Sequence, residues 1–77
     1  MTDIDKLRRV FRTALNLPDG YDVDGLEYRA IDKWDSLAHM TLVAAIEDAF
    51  DIMIDTQDVI DMSSFGKAKE LVERCLA

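Results

Sequence analysis

Apolar side chains recur at helical spacing from residue 3 to about 15, where Ile4, Leu7, Val10, Phe11 and Ala14 share one face. Thr2 and Asp5 make a capping box ahead of that stripe. The run Leu17-Pro18-Asp19-Gly20 is expected to stop the helix. From there to about Lys33 no period is sustained. A connection this long in a small domain is usually functional or tied down. Tyr21, Val23, Leu26, Tyr28 and Ile31 are scattered anchors that would tie it to the core, with a short turn of helix around residues 25–29.

Periodicity returns at Ser36 and predicts a second helix to Phe50. Asp51 to Ile54 reads as an extended link, and Thr56 to Asp61 as a short helix capped by Asp55 or Thr56. Ser63 or Ser64 would cap a last helix running to about Leu76, with Phe65, Ala68, Leu71, Val72 and Cys75 facing inward. No hairpin signal or repeat interrupts the pattern. The expected fold is therefore all-α: a small four-helix bundle of three main helices plus one short one, with a long loop between helices 1 and 2. Residues 1–77 are expected to form a single domain.

The second helix has more apolar surface than one core requires. Leu42, Val43, Ile46 and Phe50 project to one side, with His39 among them, and form an ordinary core stripe. Leu37, Met40 and Ala44 project roughly opposite, flanked by Glu47 and Asp48. Apolar residues rimmed by acids suit a docking surface, and the Met40 thioether adapts to differing partners.

Charge sharpens this picture. The formal net charge is −7, yet residues 1–15 carry +2, residues 16–66 carry −10, and residues 67–77 carry +1. No base lies between Asp35 and Gly66. Such a middle repels nucleic acid and anionic membranes and steers toward basic protein surfaces. Cys75 is the sole cysteine, which rules out an intrachain disulfide and fits a reducing, cytoplasmic setting. No apolar run reaches membrane-spanning length, and the start of the chain reads as part of the fold rather than a targeting peptide. A monomer is expected.

Ser36 stands at the mouth of the second helix. Asp35 and Ser36 are both favoured N-caps, and capping alone would explain them. A hydroxyl placed there is also exposed, where free N–H groups and the positive dipole end favour an attached phosphate. His39 is the only histidine and is expected to face the core, so no nucleophile–base pair is discernible. If Ser36 reacts, another protein must supply the base. Metal ligation by His39 and Cys75 fails on ligand number. A calcium loop over "GYDVDGLEYRAI", residues 20–31, fails because Gly20 and Ile31 occupy its first and last ligand positions.

Residues 34–54, "WDSLAHMTLVAAIEDAFDIMI", resemble the second helix of acyl carrier proteins. The resemblance rests on Asp35-Ser36-Leu37, the Phe50-Asp51-Ile52 exit ending at Ile54, and "SSFGKAKELV" leading into the last helix. It spans nearly the whole chain. It implies that a Mg²⁺-dependent phosphopantetheinyl transferase moves 4′-phosphopantetheine from coenzyme A onto Ser36, and that the arm then holds acyl groups as thioesters. Asp35, Leu37, Met40, Ala44, Glu47 and Asp48 would match the family's recognition positions for that transferase and for acyl-loading and acyl-processing enzymes with basic docking surfaces. Val43, Ile46, Ile54 and Met62 would line an acyl pocket. Such a protein is a carrier and not an enzyme.

Two departures stand out. Ala38 and Thr41 occupy positions where carriers of fatty-acid synthesis usually show acids, and Lys33-Trp34 precedes the motif where small residues are commoner. This version looks more like the stand-alone carriers of specialised pathways, such as polyketide or modified-sugar biosynthesis. Aminoacyl and peptidyl carriers usually have glycines before the serine, which this chain lacks. An aminoacyl or peptidyl carrier stays an alternative, because the cargo could still be an amino acid. The other class is a helical adaptor that binds a partner through Leu37 and Met40 with no prosthetic group. Self-repulsion in the acidic middle generates a first prediction: moderate salt or divalent cations should raise the melting temperature. A flat or falling melting temperature in a salt titration would contradict it.

Overall fold

A computed structural model describes residues 3–76 of the chain; the expected Thr2–Asp5 capping box lies outside the described residues. Four helices follow in order: α1 (Asp3–Ala14), α2 (Ser36–Phe50), α3 (Thr56–Asp61) and α4 (Phe65–Leu76). Among the described residues there is no strand, only an isolated antiparallel bridge between Glu27 and Ser64. The expected all-α four-helix bundle is the observed fold.

Helix α1 buries Leu7 and Phe11 and lays Ile4, Val10 and Ala14 against the same core. It ends before the expected proline turn. Asn16 takes the left-handed conformation at φ 57°. The Asn16 N–H donates to Thr13 C=O at 3.2 Å and the Leu17 N–H to Arg12 C=O at 2.7 Å. This is a Schellman closure, with asparagine in the role more often taken by glycine. Asp35 caps α2, its Oδ1 accepting from the Ala38 N–H at 2.9 Å. Asp55 caps α3 and Ser64 caps α4 through the same geometry, taking the N–H of Asp58 and of Lys67.

Residues 15–35 form the long loop, and it is fastened at several points. Val23 and Leu26 are buried. The Tyr28 N–H donates to Ser63 C=O at 2.8 Å, and the Phe65 N–H to Leu26 C=O at 2.9 Å. The Arg8 guanidinium holds Asp24 at 2.7 Å, and Arg12 Nε donates to Tyr21 C=O. Those bonds explain why no helical turn forms around 25–29. Leu26 C=O and the Tyr28 N–H are paired across to the α3–α4 link, the Leu26 and Ala30 N–H groups close single turns on Val23 and Glu27, and Arg29 sits at φ 65°.

The centre of the core holds a residue that periodicity did not place there. Trp34 is 0% exposed and is the largest fully buried side chain. Its ring meets Phe11 edge-on at 5.4 Å and stacks on His39 at 6.0 Å. A buried indole N–H needs an acceptor, and Trp34 Nε1 donates to His39 Nδ1 at 3.0 Å. With Nδ1 accepting, the ring proton belongs on Nε2, which donates to Val59 C=O at 2.9 Å. His39 is thus half-buried and acts as a strut between Trp34 and α3, rather than lying inside the α2 core stripe. Helix α3 has no fully buried residue; this strut, half-buried Val59 against the core, the Arg74–Asp58 ion pair at 2.9 Å and the buried Met62 at its C-cap hold it.

One further expectation is overturned: Cys75 is exposed. It has the right angular spacing, but the buried stripe of α4 ends at Val72, a turn earlier. No helix long and apolar enough to cross a membrane occurs among the described residues. The Trp34 arrangement generates the second prediction. Trp34→Ala should cost about 3–5 kcal/mol in urea denaturation, by loss of packing and a residual cavity. His39→Ala should cost about 1–3 kcal/mol by leaving the indole donor unpaired. A His39→Ala variant as stable as wild type would remove the strut from the account.

Candidate functional site

Ser36 is the first residue of α2, one position after the capping aspartate, and it is exposed. The Asp35 carboxylate occupies the helix mouth through its bond to the Ala38 N–H, and Ser36 is left free of capping work. Its Oγ instead meets two side chains from the long loop. The Tyr28 hydroxyl lies 3.0 Å away, and Arg29 Nη2 donates to the same oxygen at 3.2 Å. The Arg29 guanidinium also sits over the Tyr28 ring, 5.5 Å from its centroid. Sequence reasoning gave Tyr28 only an anchoring role and gave Arg29 none. The one available signal was that Arg29 and Lys33 are the only bases in an otherwise acidic stretch.

Neither nitrogen of His39 is free to serve Ser36, since Trp34 and Val59 occupy both. No carboxylate or imidazole contacts the Ser36 hydroxyl among the described residues. The site therefore presents a hydroxyl and orients it, with no carboxylate or imidazole of the described residues beside it to take its proton. No group of three or more potential ligands able to hold a metal ion occurs among the described residues.

The candidate recognition residues divide. Leu37 is 79% exposed and Met40 58%. Asp35, Ala44 and Asp48 are also exposed. Glu47 is half-buried, and its Oε2 accepts from the Ile54 N–H at 2.9 Å, so this carboxylate fastens the extended link. Ile60 and Met53 add exposed apolar surface that helical projection of α2 could not reveal.

Of the four acyl-pocket candidates, Val43, Ile46 and Met62 are packed in the core and Ile54 is half-buried. The cleft bordering Tyr28 has a volume of about 210 Å³ and is lined by Tyr28, His39, Val59, Ile60, Met62 and Ser63. Met62 is the sole candidate it includes. Periodicity could find core positions but not which of them border a cleft, because that depends on how α3 leans on His39.

No family model matches the sequence, and no curated protein does. Among solved structures, the fold matches a holo acyl carrier protein from Geobacter metallireducens with a TM-score of 0.83 and 26% sequence identity. The match covers 99% of this chain and 87% of that one. The chain has the acyl-carrier-protein fold, and proteins of that kind are carriers rather than enzymes.

The site generates a pH prediction. Hydrogen bonds from the Ser36 hydroxyl and then from Arg29 hold the Tyr28 phenol below its ordinary value. Folding thus makes Tyr28 easier to ionise than it is in the unfolded chain. Its contribution to stability is fully present above the ordinary tyrosine value of about 10 and is lost as pH falls through the lowered folded value. Ser36→Ala should move the Tyr28 titration upward, as followed by ultraviolet absorbance of the phenolate. An unmoved titration would mean that the Ser36 contact does not form in solution.

Proposed function

We propose that this protein is an acyl carrier whose Ser36 bears 4′-phosphopantetheine. The observation that carries the reading is an exposed hydroxyl on the first residue of α2, in a fold shared with a holo acyl carrier protein. In the transfer, Ser36 Oγ forms a bond to the phosphorus of coenzyme A that bears the pantetheine. The bond from that phosphorus to adenosine 3′,5′-bisphosphate breaks. The hydroxyl proton leaves to a base of the transferase, as this chain brings no imidazole or carboxylate to Ser36. Once attached, the arm supplies a thiol that holds an acyl group as a thioester.

The chain's own residues present that arm and meet its partners. Leu37, Met40 and Ala44 supply an apolar contact, and Asp35 and Asp48 supply charge that basic partner surfaces can read. Glu47 contributes to the same acidic face while bonded to Ile54. Exposed ion pairs are individually weak and screened by salt, which suits a carrier that must release each enzyme quickly. The arrangement also supports a specialised pathway, on the strength of Ala38 and Thr41 where acids are usual. Trp34 has no part in that argument, because it is inside the core and no partner can touch it.

The adaptor alternative is separated by mass. Incubation with coenzyme A and a broad-specificity transferase should add one phosphopantetheine to wild type and nothing to Ser36→Ala. Met40→Glu, at an exposed position, should keep its fold and load, yet pass acyl groups to partner enzymes more slowly. Wild type that stays at its unmodified mass would leave the adaptor as the standing reading.

A further inference from the structure

Arg29 is placed with more care than an exposed loop arginine needs. Its φ of 65° lies in the left-handed region that side-chain-bearing residues seldom occupy. The turn is held on both sides: the Arg29 N–H donates to Trp34 C=O at 3.1 Å, and the Tyr28 N–H to Ser63 C=O at 2.8 Å. The result is a guanidinium and a phenol converging on one oxygen, Ser36 Oγ, at 3.2 and 3.0 Å. Arg29 makes no ion pair with a carboxylate among the described residues. Lys33, the other base of the acidic middle, is committed to Asn16 C=O.

A hydroxyl uses little of what this pair offers. The guanidinium carries five donors in a planar fork whose geometry matches phosphate oxygens. The local charge gives the fork a purpose. The Asp35 carboxylate already sits at the mouth of α2, so a second anion on the next residue meets a repulsion that the helix end shares between the two and a nearby cation offsets. Arg29 is the cation in place.

We propose that Arg29 and Tyr28 clamp the phosphodiester that joins the phosphopantetheine arm to Ser36, donating hydrogen bonds to its charged oxygens. The proposal rests on the carrier reading above. Both are positioning residues: they make and break no bond, and they restrict the direction in which the arm leaves α2. Because the site is exposed, the clamp is electrostatic in character and weakens with salt.

The test uses the full chain, unloaded and loaded from coenzyme A, with intact mass reporting the loading. Wild type, Arg29→Gln, Arg29→Lys and Tyr28→Phe are compared; the last keeps the ring that packs on Trp34 and His39. Loading of wild type should shift the Arg29 Nε–H resonance. The phosphorus NMR relaxation of loaded wild type should report tumbling with the whole protein. Faster local motion is expected in Arg29→Gln and Tyr28→Phe, with Arg29→Lys between because an ammonium keeps the charge but lacks the fork. Moderate salt should loosen the phosphorus in wild type and leave Arg29→Gln unchanged. An Arg29 resonance that ignores loading, or equal phosphorus relaxation in wild type and Arg29→Gln, overturns the clamp alone. Wild type that gains no mass overturns the carrier reading and the clamp together.

Discussion

A tryptophan indole enclosed at the centre of a 77-residue domain must place its N–H on an acceptor, and here the acceptor is His39. That requirement organises the surroundings of Ser36. Trp34 is two residues before Ser36, so burying its ring fixes where α2 begins and leaves the serine facing outward. His39 passes the bond on to Val59, and α3 gains an attachment that its own apolar content cannot supply. The Trp34 carbonyl accepts from Arg29 and stabilises the turn that carries Arg29 and Tyr28 to the hydroxyl. One buried ring thus sets the helix start, the short helix and the loop side chains together.

Electrostatics divides the same surface into two tasks. Asp35, Asp55 and Glu47 are acids with internal work, since each accepts a backbone N–H at a helix start or in the extended link. Their charge remains visible to a partner while their geometry is held by the fold. Asp48 and Asp51 are exposed on or just beyond α2 with no such backbone role for their carboxylates among the bonds described. An acidic composition is therefore not a uniform coat. Against it, a single guanidinium beside Ser36 is the local exception, and no carboxylate forms a direct ion pair with it among the described residues.

The cleft beside Tyr28 borders α3, which carries the exposed side chain of Ile60, has no fully buried residue and rests on the core through half-buried Val59. Elements of that sort open at lower free energy than the core does. The stable half of the molecule, α1 with α2 and α4, carries the buried stripes. The division suits a carrier, in which a rigid scaffold presents a serine next to a more adaptable short helix.

Helix positions, caps and the outward stripe of α2 were legible in the sequence because each depends on neighbours within one or two turns. The 3.6-residue period places Leu7 and Phe11, or Leu42 and Ile46, on one face whatever the rest of the chain does. Asp35-Ser36-Leu37, which carries part of the resemblance to acyl carrier proteins, is likewise a local feature. Contacts across the loop were not legible. Arg29 and Tyr28 are seven and eight residues from Ser36 in an aperiodic segment, and only the pairing of residues 26–28 with 63–65 brings them to it. Trp34 looked like a surface departure before the motif, and Cys75 like core filler. Burial is decided by what packs opposite, and a single helix or loop does not encode that.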